Sequence, residues 1–246
     1  MFRLGADTVA SLAFHLGTLL VLVVLAALLM RTQPRWRFVA IALAGLGIAL
    51  AALFIDPLAS LTHALGLKWN WGGKLLSTLV ILAVMRFSPA SFGEMGVKAW
   101  DGRGWRGALV CLGVMCALDW AVSFAFASGA RTPSVEQLLF QATMPGLNEE
   151  LIYRGFAMAM LDRAFGGAGR SVLGATIGPA AILSSLFFGV QHGTGFVDGQ
   201  FAISWPTIAL TGVLGILLAW MRARTGSVIA PMIAHNVVNV GHVLIG

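Results

Sequence analysis

The run "TVASLAFHLGTLLVLVVLAALLM", Thr8 to Met30, is 23 residues long and holds no Asp, Glu, Lys or Arg. A helix needs about 20 apolar residues to cross a bilayer core. The run is too long for the apolar region of a signal peptide, and it ends in "RTQPRWR" (31–37) rather than at a small-residue cleavage site. It is expected to be a retained transmembrane helix. The rest of the chain has the same character. Of its 246 residues, 58% are hydrophobic and 11% charged, with a mean hydropathy of +0.87. A soluble domain carries about 25% charged residues. The expectation is one integral membrane domain over residues 1–246, with no polar stretch long enough for a second, soluble one.

Apolar runs predict eight helices, over 8–30, 38–55, 73–87, 105–127, 147–165, 178–192, 204–221 and 227–244. The fold class is therefore all-α: a polytopic membrane helix bundle of about eight helices, with a polar site buried among the later ones. The fifth and sixth are the most polar and are expected inside the bundle. Small residues recur within helices, as in "ALAGLGIALAAL" (42–53), and allow close helix packing in lipid. Ser134, three residues before Gln137, predicts a helix start by a capping box.

The formal net charge is +6, carried by 16 Lys and Arg against 10 Asp and Glu. These basic residues sit singly in short loops, so a membrane topology signal is expected and a nucleic-acid partner is not. Alternation through eight spans places 11 of them on the cytoplasmic side: Arg31, Arg35, Arg37, Arg86, Lys98, Arg103, Arg106, Arg163, Arg170, Arg222 and Arg224. Arg3, Lys68, Lys74 and Arg131 fall on the other side, and Arg154 lies within a helix. Arg outnumbers Lys by 13 to 3, which points to a GC-rich bacterial genome and hence to a bacterial inner membrane. Cys111 and Cys116 are five apart in one apolar segment and read as buried thiols.

Ionisable groups inside spans each cost at least about 2.5–3.5 kcal/mol at the bilayer centre, so each needs a reason. They are His15, Asp119, Glu149, Glu150, Arg154, His192, His235 and His242. Three of them fall together in "GLNEELIYRGF", Gly146 to Phe156. Glu150 and Arg154 are four apart on one helix face and form an i,i+4 pair, a structural brace. Glu149 is turned by roughly 100° from Glu150 and has no local partner. His192 ends the sixth helix, four residues after Phe188; His235 and Asn239 are four apart on the eighth. Adjacent antiparallel helices bring the start of the fifth and the end of the sixth to one depth. A carboxylate, two imidazoles and an amide then converge, a set suited to water-driven acyl transfer.

The order "EELIYR" (149–154), "FGVQH" (188–192) and "HNVVN" (235–239) resembles the EExxxR, FxxxH and HxxxN motifs of the CPBP family of intramembrane proteases. That family includes the type II CAAX prenyl endopeptidases and bacteriocin-processing or immunity proteins. The resemblance covers about residues 90–246. It implies an intramembrane endopeptidase acting on a peptide or protein with a membrane-associated segment. It further implies Glu149 as general base, polarising a water with His192, and His235 and Asn239 as the oxyanion site. Glu150 and Arg154 would hold the helix and Phe188 would pack the pocket.

No cofactor is expected; zinc is the variant, with Glu149, His192 and His235 as its ligands. The chain lacks an HExxH pair, and a ligated Glu149 would cost the cluster its base. Two rival functions are a non-catalytic scaffold or immunity protein of the same fold, and a small ion transporter built on the same charges. A transporter is the weaker fit, because repeat symmetry is missing. Asp119, His15, His242 and Tyr153 stay outside the expected catalytic set.

Overall fold

The computed structural model describes residues 5–126 and 132–245. Arg3 and Arg131, both used in the charge count, lie outside the described residues, as does Ala127 at the end of the fourth expected helix. Helices dominate. They are α1 (Ala6–Met30), α2 (Trp36–Ala52), α3 (Ala59–Ala64), α4 (Trp71–Phe87), α5 (Trp105–Phe126), α6 (Val135–Gln141), α7 (Met144–Glu150), α8 (Met158–Ala164), α9 (Pro179–Gly193), α10 (Trp205–Thr225) and α11 (Ile229–Ile245). A π-helical stretch, Leu151–Ala157, joins α7 to α8, so the three form one continuous rod. Counted that way, each of the eight expected helices has its counterpart, with ends displaced by up to four residues. The short α3 and α6 are additions.

Among the described residues, three helices are long and apolar enough to cross a membrane: α1, α5 and α10. The shorter α2 and α11 are also apolar. Two antiparallel hairpins interrupt the helical pattern. They are β1 (Arg170–Val172) with β2 (Ala175–Ile177), and β3 (Thr194–Val197) with β4 (Gln200–Ile203). They cap the two ends of α9.

Local chemistry sets the helix ends. Asn70 Oδ1 accepts from the Gly73 amide at the start of α4, and Ser134 Oγ from the Gln137 amide at the start of α6. Pro206 sits in the first turn of α10, where its missing N–H costs nothing, and Gly226 ends that helix in the left-handed region at φ 72°.

Two hydrophobic cores result. One joins α1, α2, α4, the π stretch, α8 and α9, with Leu19, Leu46, Ile81, Phe156 and Phe187 at its centre. The other joins α5, α10 and α11 through Met115, Leu218, Ala234 and Val238. Small residues let the backbones approach. Ser185, Gly189 and Gly193 form a stripe on α9, and a Cβ on Gly189 would strike Gly212 and the Ile208 carbonyl of α10. In "ALAGLGIALAAL", Gly45 leaves the space that the Phe156 ring occupies. The segment 88–104 is a folded loop. It is pinned where Val228 N donates to Gly96 O and Arg163 pairs with Glu94.

Candidate active site

The site begins with how α7 is held. Its N-terminus is tied to α11, because Gly146 N donates to Asn236 Oδ1 at 2.8 Å. Gly146 has no Cβ, and one there would meet Asn236 and the Met232 carbonyl. The other face is tied to α4. Asn148, fully buried, donates to Ser77 Oγ and Thr78 Oγ1 at 3.1 and 3.2 Å. α7 is thus clamped between two helices just before Glu149. All seven residues of the π stretch that follows are buried. Such wide turns are rare inside α-helices and are frequent at functional sites.

Glu149 and Glu150 face different surroundings, as their rotation on the helix requires. Glu150 is fully buried, and its Oε1 accepts from Arg154 Nη1 at 2.9 Å and faces His235 Nδ1 at 2.8 Å. Arg154 also donates to the Gly215 carbonyl of α10 at 3.0 Å and stacks over Phe188, 4.3 Å from the ring centroid. The brace therefore reaches further than one helix face: it fixes a histidine on α11. Because Glu150 accepts there, His235 Nδ1 carries the proton.

Glu149 points into a cavity of about 350 Å³, open at one side, whose lining includes His192, His235, Asn239 and Lys74. Its Oε2 lies 3.5 Å from His192 Nε2 and 3.9 Å from His235 Nε2. That oxygen is buried and has no hydrogen-bond partner. His192 Nδ1 sits 2.8 Å from the Phe188 carbonyl, an acceptor, so this ring too is protonated on Nδ1 and turns Nε2 to the cavity. Two ring nitrogens and an unsatisfied carboxylate oxygen therefore face one small space. Asn239 lines the same cavity, where its Nδ2 donates to Gln141 Oε1 at 3.1 Å, leaving its second N–H free. Phe188 packs against His192, 4.2 Å between ring centroids.

Lys74, at the start of the third expected helix, was counted among the charges on the non-cytoplasmic side. The structure places it in the first turn of α4, with 13% of its side chain exposed, donating to Glu149 Oε1 at 2.6 Å. Glu149 lacks a partner on its own helix and receives one from α4. A signal was present: in "KLLST" (74–78), Lys74, Ser77 and Thr78 share one face of an otherwise apolar helix. That face is the one α7 meets.

The remaining polar groups separate. His15 Nε2 lies 3.1 Å from Thr194 Oγ1, which joins α1 to β3. Tyr153 donates its hydroxyl to Gln191. Asp119 both bonds across helices and lines the cavity: its Oδ2 is 3.1 Å from His242 Nδ1, which also contacts Ser123 Oγ at 2.8 Å. Cys111 and Cys116 are free thiols in buried positions.

Glu149, His192 and His235 are the nearest approach to a metal-ligand set, and they do not fit one well. The Lys74 ammonium already sits on the other oxygen of the carboxylate, where a dication would be repelled. Among the described residues no group of three or more His, Cys, Asp or Glu side chains has the geometry to hold an ion.

The stretch that carries these motifs also carries the similarities. Residues 131–241 match the family model described as type II CAAX prenyl endopeptidase Rce1-like. The chain is 29% identical over 152 residues to the human protein named CAAX prenyl protease 2, a match covering 54% of this chain and 42% of that relative. The matched part thus spans less than half of the curated relative's length. A search of the solved structures found no match.

Proposed function

We propose, from its motifs and its similarities, that the chain is a member of the CPBP family of CAAX-type membrane proteases, an intramembrane endopeptidase that cleaves a peptide bond by direct attack of water. The observation that carries this reading is the unsatisfied Oε2 of Glu149, facing Nε2 of His192 at 3.5 Å and Nε2 of His235 at 3.9 Å. A single water about 2.8 Å from each partner can donate one proton toward Glu149 and the other toward His192. Both partners draw hydrogen from it and leave the oxygen nucleophilic.

The sequence of steps follows from where the protons can go. The water oxygen bonds to the substrate carbonyl carbon as its proton passes to Glu149 Oε2. The carbonyl oxygen becomes an oxyanion, met by the free N–H of Asn239 and by the His235 ring beside it. Glu150 holds that ring in place through its other nitrogen. As the tetrahedral intermediate collapses, the C–N bond breaks and Glu149 returns its proton to the departing amine. Lys74 stays on Oε1 throughout and holds the carboxylate in place. No step passes through a metal ion. If chelators abolished activity and zinc restored it, Glu149, His192 and His235 would instead be ligands.

The substrate is a peptide or protein with a membrane-associated segment, reached from within the bilayer, and the bacterial inner membrane is the proposed location. A panel of lipid-anchored and transmembrane peptides, reconstituted with the purified chain in liposomes, tests the activity. Cleavage by wild type that Glu149→Gln abolishes supports it. Equal cleavage by both, or none by either across the panel, favours the scaffold alternative.

A further inference from the structure

Away from the polar cavity, a groove of about 600 Å³ runs between α5 and α10 under the β1–β2 hairpin. Its walls are apolar along most of their length, with Val110, Val114, Leu217 and Trp220 among them. One end is different. Arg106 in the first turn of α5 and Arg224 in the last turn of α10 both line the same groove, because the two helices run antiparallel. None of the ion pairs among the described residues uses either guanidinium.

The Arg224 side chain is held rather than loose. It packs on Gly104, and its Nη1 donates to the Gly174 carbonyl at 3.3 Å. Both glycines have positive φ, at 72° and 78°, and a side chain on Gly174 would crowd the guanidinium. This end lies at headgroup depth by its aromatic content. Trp105, half exposed, precedes Arg106, and Trp100 and Trp220 lie near it, donating to the carbonyls of Arg103 and Val172. From Arg106 to Val114 is eight residues, or about 12 Å along the helix. That is the length of a substantial part of an acyl chain.

We propose that this groove is a binding site for an anionic phospholipid, with one acyl chain along Val110 and Val114 and the phosphate between Arg106 and Arg224. Charge complementarity selects the occupant. Two unpaired guanidinia favour a headgroup with net negative charge and repel the ammonium of a zwitterionic one. An uncharged apolar partner, such as a helix of a second copy, would leave both cations unmatched.

The test uses the full chain purified from mixed micelles holding equal phosphatidylglycerol and phosphatidylcholine, with retained lipid identified by native mass spectrometry. Wild type retains phosphatidylglycerol preferentially. Arg106→Gln with Arg224→Gln lowers that preference by roughly 30-fold. Lysine at both positions keeps it. Val114→Trp fills the groove, so neither lipid is retained although the charges stay. The proposal is overturned if wild type shows no preference, if the double Gln variant keeps it, or if a second copy of the chain occupies the groove in place of lipid.

Discussion

Lys74 Nζ lies 2.6 Å from Glu149 Oε1, and the two come from helices 75 residues apart in the chain. Both side chains are largely buried, at 13% and 15% exposure. The carboxylate therefore has its counter-charge on one oxygen and the reaction space on the other. Lys74→Gln should lower kcat about 100-fold with a smaller change in KM, because it removes fixed charge next to the base and leaves the peptide-binding walls intact. Lys74→Arg should recover part of that loss. A variant whose kcat is unchanged would show Lys74 to be a packing residue only.

The adjacent carboxylates should fail in different ways. Glu149→Gln should fold and lose cleavage by at least about 100-fold. Glu150→Gln leaves Arg154 buried without its charge partner and His235 without its anchor, and should cost roughly 3–5 kcal/mol of stability. Thermal unfolding in detergent, read beside activity, separates the two. Loss of folding in the Glu149 variant, or normal stability in the Glu150 variant, would reverse the division of labour.

Much of this was legible in the sequence, and the failures have physical reasons. The eight principal helices follow from apolar runs, because a membrane span must be continuous and apolar to satisfy its backbone. The separation of Glu149 from Glu150 follows from helix geometry alone. What the sequence did not disclose was long-range. Lys74 counted only as a flanking charge at the start of its expected helix, yet Asn148, Ser77 and Thr78 draw that helix against α7. The contact from Glu150 to His235 was hidden for the same reason: periodicity reports a residue's face, and only packing reports what that face meets. The two hairpins were missed because strands of three or four residues leave too short a pattern.

With Lys74 paired inside the cavity, Lys68 is the one other Lys or Arg counted on the non-cytoplasmic side among the described residues, against eleven on the cytoplasmic side. On this count we propose that the cavity opens away from the cytoplasm. Gln200→Cys, on the exposed β4 strand of the hairpin that follows α9, should react with a membrane-impermeant maleimide added to intact cells, while the buried Cys111 and Cys116 stay silent. Reaction only after permeabilisation would invert the topology.

Packing between α9 and α10 should tolerate little. Gly189→Leu forces its side chain into Gly212 and the Ile208 carbonyl, moving His192 with the helix. A destabilisation of about 1–3 kcal/mol is expected, together with loss of activity. Gly17→Leu, where a Cβ meets nothing, is the matching control and should change neither.

The decisive measurement is a comparison of peptide termini in membranes from cells that carry wild-type protein or Glu149→Gln. Hydrolysis by a water on Glu149 predicts a defined set of new termini, within or beside membrane segments, present with wild type and missing with the variant at equal protein levels. The same termini in both would contradict a catalytic role for Glu149 and leave the polar cavity without the chemistry proposed for it.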